Sequence, residues 1–177
     1  FQITKDALLA GKHVFVEKPL ATKSKEVKEL YSIAKEKNVV LFVGYIYLYN
    51  PCYLKLLNLL KPSDIISVKS NWEKFGSFKE DLSQNLLVHE LSILVGLLQA
   101  FPEEIKIKKN VGEETKTDIL SLELIFNNCK AQININRVSD KKEKKIIIET
   151  NIGEKLIWTE NVLSMKTIDK KEQIILE

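Results

Sequence analysis

The sequence predicts an α+β protein in which a short parallel α/β segment leads into a mostly antiparallel sheet with helices on one face. Apolar runs at residues 13–16 and 39–43 bracket a segment of helical spacing, the strand–helix–strand order of a parallel crossover. Residues 84–100 are apolar almost all round at a helical period. From Glu104 onward the apolar period changes to two and recurs at roughly ten-residue intervals between polar turns, as in an antiparallel meander.

Residues 2–9 read as a helix, and Gly11 suits the position just past its C-terminus, where the backbone often takes a positive φ. Residues 13–16 (HVFV) form a run expected of a buried parallel strand, and residues 39–43 form a second. Between them Thr22 is expected to cap a helix running to about Glu36, with Val27, Leu30, Tyr31 and Ala34 on its buried face and Asn38 as its stop. Gly44, after the second strand, lets the backbone approach a neighbour closely. The triplet Glu17-Lys18-Pro19 follows the first strand. A lysine there sits at the rim of an open α/β sheet, where ligands bind, and Pro19 turns the chain because it cannot continue the ladder.

Asn50-Pro51 marks a helix start, an N-cap side chain followed by proline at the first helical position. Tyr53, Leu56, Leu57 and Leu60 make its expected buried face, and Pro62 ends it. Residues 64–73 read as a strand carrying Trp72 near its far end, and residues 75–83 as a loop. In the helix expected at 84–100, Leu87, Leu91, Leu94 and Leu98 form one stripe, and Leu86, Ile93 and Leu97 an adjacent one. The remaining line of Asn85, His89, Ser92 and Gly96 is expected to face a cavity. Further strands are expected at 120–126, 131–135, 146–150, 155–159, 162–167 and 173–176, with turns at Asn127-Asn128 and at residues 140–144. Residues 146–148 and 156–158 are apolar on both sides, so the open sheet face is expected to be covered by something outside this chain.

Composition narrows the function classes. With 45% hydrophobic and 29% charged residues in 177, the chain has the make-up of an ordinary globular protein. No stretch approaches the roughly 18 apolar residues of a membrane span. The N-terminus lacks the order of a secretory signal, so a cytoplasmic location is expected, with Cys52 and Cys129 as reduced thiols. A net charge of +3 with Arg137 as the one arginine argues against a nucleic-acid partner. The Lys141, Lys142, Lys144 and Lys145 cluster reads as a solvated turn. Two histidines and two lone cysteines give no metal-ligand spacing, and no serine or cysteine triad motif is present.

Residues 10–21 (AGKHVFVEKPLA), residues 39–45 (VVLFVGY), Tyr49-Asn50-Pro51 and His89-Glu90-Leu91-Ser92 together resemble the Gfo/Idh/MocA family, the glucose–fructose oxidoreductase and inositol dehydrogenase relatives. The resemblance implies that residues 1–45 are the C-terminal remnant of a dinucleotide-binding (Rossmann) domain and residues 46–177 a substrate-binding and oligomerisation α+β domain. It implies an NAD(P)-dependent dehydrogenase acting on a sugar, polyol or nucleotide-sugar. Lys18 and His89 would be its catalytic residues. Glu17, Lys18 and Pro19 would contact NAD or NADP, with Lys18–Pro19 in the cis form; Glu17 reads equally as a plain solvated carboxylate. Tyr45, Asn50 and Asn85 would line the substrate pocket, packing being as good a reading for the tyrosine. Family members typically associate through the open sheet face, which implies a homodimer or tetramer.

Three features depart from the family pattern. The glycines stand at 11, 44, 76, 96, 112 and 153, too dispersed for the G-x-G-x-x-G turn that cradles a pyrophosphate, so the chain is expected to begin inside a Rossmann domain. Asn85 stands where the family commonly has aspartate, four residues before the histidine, and Leu48 where it frequently has arginine. The last two point toward the alternative, a non-catalytic sugar-binding or regulatory/dimerisation module of the same fold.

Overall fold

A computed structural model describes residues 1–74, 80–112, 117–167 and 171–177. The chain divides into two compact units, Phe1–Ile46 and Tyr47–Glu177.

The first unit runs α1 (Gln2–Leu9), β1 (Val14–Glu17), α2 (Ser24–Glu36) and β2 (Leu41–Gly44). β1 and β2 pair in parallel, with Val14 opposite Leu41 and Glu17 opposite Gly44. Leu8, Leu20, Leu30 and Ala34 are buried against Val14, Val16, Leu41 and Val43. Strand side chains alternate, so Phe15 and Phe42 emerge on the other face, stacked with centroids 5.4 Å apart and 66% and 37% exposed. Among the described residues, cover is seen on one face of the two strands. Gly11 (φ 71°) and Asn38 (φ 53°) take the left-handed conformation after each helix. Lys23, without a side-chain cap bond, holds the N-cap of α2 in place of Thr22, and Tyr31 turns outward, while Leu30 and Ala34 are buried with Val27 and Ile33 packed beside them.

In the second unit Asn50 Oδ1 accepts from the Cys52 N–H at 2.8 Å and caps α3 (Pro51–Leu59). Cys52, Tyr53 and Leu56 are buried; Leu57 is exposed and Leu60 only half-buried, since α3 ends before Leu60. β3 (Ile65–Lys74) follows. Residues 75–79 of the expected loop lie outside the described residues, and Leu82 and Ser83 belong to α4 (Leu82–Asn85). The long apolar helix is thus two pieces, α4 and α5 (Leu87–Leu98), with Leu86 between them. Asp81 opens α4, its carboxylate accepting from the Ser83 N–H at 2.8 Å and from the Thr117 N–H at 2.8 Å. Those bonds outweigh the effect of burial and hold the Asp81 carboxyl below its ordinary range. Gln99, at φ 49°, ends α5 in the left-handed conformation.

The rest of the chain supplies β4 (Glu104–Val111), β5 (Ile119–Ile125), β6 (Lys130–Asn136), β7 (Lys142–Thr150), β8 (Lys155–Thr159), β9 (Val162–Lys166) and β10 (Gln173–Leu176). Among the described residues, eight strands form one sheet in the order β10-β9-β8-β7-β3-β6-β5-β4. Every neighbouring pair is antiparallel except β3–β6. The covered face presents Val68, Leu122, Leu124, Ile133, Ile146, Ile148 and Leu156 to the α5 residues Ile93, Leu94 and Leu97 in one continuous core. The architecture is a small parallel two-stranded remnant plus a larger mixed, mainly antiparallel sheet with flanking helices.

Two sequence expectations fail on this sheet. β7 begins at Lys142, so the turn expected at 140–144 is shorter and the lysine cluster lies largely in a strand. The open face is mainly polar: Glu123 is paired with Lys130 (2.8 Å) and Lys108 (3.4 Å), Glu149 with Lys155 (2.7 Å), and Asn134 donates to Asn71 (2.9 Å). Ile147 and Ile157, directly opposite each other, are half-buried apolar residues on it, as are Ile119 and Ile125, while Ile146, Ile148, Leu156 and Trp158 all turn to the covered side.

Candidate functional site

In the first unit, Glu17, Lys18 and Pro19 stand at the carboxyl end of β1, beside Gly44 at the same end of β2. The Lys18–Pro19 peptide bond is cis. A Cβ built on Gly44 would lie 3.2 Å from Glu17 Oε2 and 3.4 Å from Phe15 Cζ, so the glycine makes room for the glutamate side chain across the strand pair. Lys18 and Pro19 are half-buried and Glu17 exposed. Carboxyl ends of parallel strands are where open α/β sheets take nucleotides. A lysine, a carboxylate and a backbone without a Cβ stand together at that edge; the Gly-rich pyrophosphate turn is not in this sequence. Tyr45 follows this edge, and burial, then Tyr31, push its hydroxyl above the usual range.

In the second unit the polar groups converge on Lys144. Its ammonium pairs with the Glu90 carboxylate, which also accepts from the Ser70 hydroxyl. The ammonium also lies 3.9 Å from the centre of the Trp72 ring and 4.4 Å from that of Tyr47. The strand register explains the meeting: Lys144 sits directly opposite Trp72, and Ser70 two residues along β3 shares that face. Lys144 is 9% exposed and Glu90 1%. Burial pulls the lysine's pKa down while Glu90 opposes that.

His89 is 6% exposed, its ring edge-on to Tyr47 at 5.0 Å and tilted against Trp72 at 6.1 Å. Burial, then Glu90, raises the Tyr47 hydroxyl. A cavity of about 370 Å³ opens beside this cluster, lined by Tyr47, Asn50, Trp72 and Lys144 among others. His89 backs its aromatic wall without lining it. Asn85 lies on α4, across the Leu86 junction from His89, and does not line the cavity either. Nor does the polar line of the helix continue to an opening: a Cβ at Gly96 would run into Tyr53 Oη, so α3 fills that end.

Sequence reasoning names Asn50, which lines this cavity, and does not name Glu90 or Lys144. A solvated-turn reading of Lys144 is corrected by its burial. The available signal was Trp72 and Ser70 alternating on a strand, which needs a register before it can name a partner. Among the described residues no group of three or more His, Cys, Asp or Glu could hold a metal ion. Both cysteines are free and buried, and burial pushes the Cys129 thiol up to about 11.

Residues 1–45 match the GFO_IDH_MocA family, described as an oxidoreductase family with an NAD-binding Rossmann fold. The UDP-N-acetylglucosamine 3-dehydrogenase of Acidithiobacillus ferrooxidans is 22% identical over 167 residues, 93% of this chain and 51% of its own length. A solved structure of that enzyme matches with a TM-score of 0.87 at 18% identity, over 98% of this chain and 58% of that one. An inositol dehydrogenase homologue from Azotobacter vinelandii, complexed with NADH and myo-inositol, gives a TM-score of 0.86 at 19% identity, over 99% of this chain and 52% of that one. The family match is thus confined to residues 1–45, while over nearly its whole length the chain shares the fold of these solved structures. It spans about half the length of relatives matched along most of it, 51% and 48% in two cases.

Proposed function

We propose that this chain is the C-terminal part of an NAD(P)-dependent oxidoreductase that acts on a hydroxyl or carbonyl of a sugar, polyol or nucleotide-sugar. The observation that carries the reading is Glu17-Lys18-Pro19 at the carboxyl edge of a parallel strand pair inside the family-matched residues. The nicotinamide, when bound, accepts or supplies the hydride. In this reading the Lys18 ammonium stabilises the alkoxide oxygen as charge develops on it. His89 takes the hydroxyl proton, imidazole being suited to that by a pKa near neutrality. Tyr45 and Asn50 hold the substrate, and Glu17 and Pro19 the cofactor. We also place the protein in the cytoplasm as a homodimer or tetramer through the open sheet face, where Ile147 and Ile157 offer an apolar centre within a polar surround. No helix among the described residues is long and apolar enough to cross a membrane.

The test is reduction of NAD or NADP by the protein carrying this chain, against uncharged sugars, polyols and nucleotide-sugars. Lys18→Ala and His89→Ala are each expected to lower kcat on the order of 10²–10⁴-fold. Unchanged turnover in both variants overturns the catalytic assignment. The rival is a non-catalytic binding, regulatory or dimerisation module. Asn85 and Leu48 favour it, and ligand binding without turnover would establish it. The 177-residue chain by itself is expected to bind NAD(H) weakly; micromolar affinity in calorimetry contradicts that.

A further inference from the structure

We propose that Lys144 is a ligand-binding residue, its ammonium donating hydrogen bonds to hydroxyl oxygens of an uncharged sugar or polyol seated in the cavity beside Tyr47 and Trp72. The inference rests on the sugar-or-polyol reading above and names a residue and a charge class within it.

An ammonium has three N–H donors. Glu90 takes one, and the faces of Trp72 and Tyr47 lie against the ammonium. Aromatic faces attract a cation but are weaker partners for an N–H than an oxygen. A ligand oxygen entering from the cavity, which Lys144 lines, supplies that better partner. A lysine needed only to neutralise Glu90 would not have to reach the cavity wall.

Asn50 lines the same cavity, and its N-cap bond uses only the side-chain oxygen, leaving the amide N–H groups for a ligand. The remaining charges decide the ligand class. Lys74 and Lys142, directly opposite each other, line the opening together with Glu143 and Glu160. Glu90 already offsets Lys144, so two cations face two carboxylates and the cavity has no excess of either sign. Mixed donors and acceptors beside aromatic rings suit a neutral polyhydroxylated ring better than a phosphate or carboxylate. Glu90 is the positioning residue, holding the ammonium at the wall.

Binding of myo-inositol, D-glucose, N-acetylglucosamine and glucose 6-phosphate to the protein is read by calorimetry and by tryptophan fluorescence, since Trp72 touches Lys144. At least one neutral compound is expected to bind. Lys144→Met is expected to weaken it tenfold or more. The double variant Glu90→Gln/Lys144→Met, which leaves no unpaired charge, keeps the native circular dichroism and shows the same loss. Glu90→Gln alone raises KM more than it lowers kcat. Failure of all three neutral compounds to bind, wild-type affinity in a folded Lys144 variant, or glucose 6-phosphate binding tenfold tighter than glucose each overturns the proposal. Turnover indifferent to Lys144 sinks this inference and leaves the oxidoreductase reading standing. Binding that depends on Lys144 without any NAD(P) turnover does the reverse.

Discussion

Lys144 faces Trp72 directly across the β3–β7 pairing, its ammonium 3.9 Å from the centre of the indole ring. Such a contact contributes about 0.5–2 kcal/mol, more as the pair is withdrawn from water. Tyr47 adds a second face at 4.4 Å, and Glu90 the counter-charge. The lysine is tolerated in the interior because three different elements each supply one of its partners.

Removing one member of this pair leaves the other charge buried. Lys144→Met is expected to cost about 3–5 kcal/mol, and adding Glu90→Gln to recover most of it, since a neutral pair of similar volume often replaces a buried ion pair without loss. Urea unfolding of the two variants checks this. Equal destabilisation by single and double variants would show that packing, not charge, dominates the site.

Gly96 is set by a close approach of Tyr53 from α3, because a methyl group there would overlap the phenol oxygen. Gly96→Ala should destabilise by about 1–3 kcal/mol, the usual cost of overpacking a core. Tyr53→Phe in the same background removes the overlapping atom and should restore part of that stability. Thermal melts of the two single variants and the double variant measure the coupling.

Asn50→Ala should remove the cap of α3 at a cost of about 1 kcal/mol, whereas Asn50→Asp keeps the accepting oxygen and should be close to neutral. Chemical denaturation separates the two. The aspartate variant also tests the amide N–H groups as ligand donors, because it retains the cap while exchanging those donors for a charged, acceptor-only carboxylate.

Acid sensitivity follows from the open sheet face. The hydrogen bond from Lys130, aided by Lys108, holds the Glu123 carboxyl below its ordinary range; hydrogen bonds from Lys155 and Ser67 do the same for Glu149. With the folded-state pKa depressed, the unfolded chain takes up protons first. The stabilisation is present above the ordinary glutamate pKa of about 4.3 and disappears as pH falls through the lower folded-state values. A series of melting temperatures between about pH 3 and 7 should show this decline, and Glu123→Gln should make it shallower. A Glu123→Gln curve parallel to wild type would contradict the assignment.

Local chemistry was legible wherever it depended on near neighbours. Asn50-Pro51 gave a capped helix start, Gly11 and Asn38 left-handed helix ends, and the alternation at residues 155–159 a strand with the observed bounds. The readings that failed depended on residues far apart in sequence. Lys144 looked solvated because Glu90, 54 residues away, and Trp72 could not be known as its neighbours. Phe15 and Phe42 looked buried because an apolar run does not say how many faces of its strand are covered. The helix of 84–100 breaks at Leu86, where neither glycine nor proline marks a stop.

By itself the sequence determined the order and type of most elements and the Glu17-Lys18-Pro19 edge, since helix ends, strand periods and proline turns follow from residues within a few positions of one another. Only the tertiary structure decided that a cation stands between two aromatic rings, that the open sheet face is laced with ion pairs, and that Gly96 yields its space to Tyr53. Those outcomes depend on strand register and helix packing, which bring together side chains whose separation along the chain carries no record of their proximity.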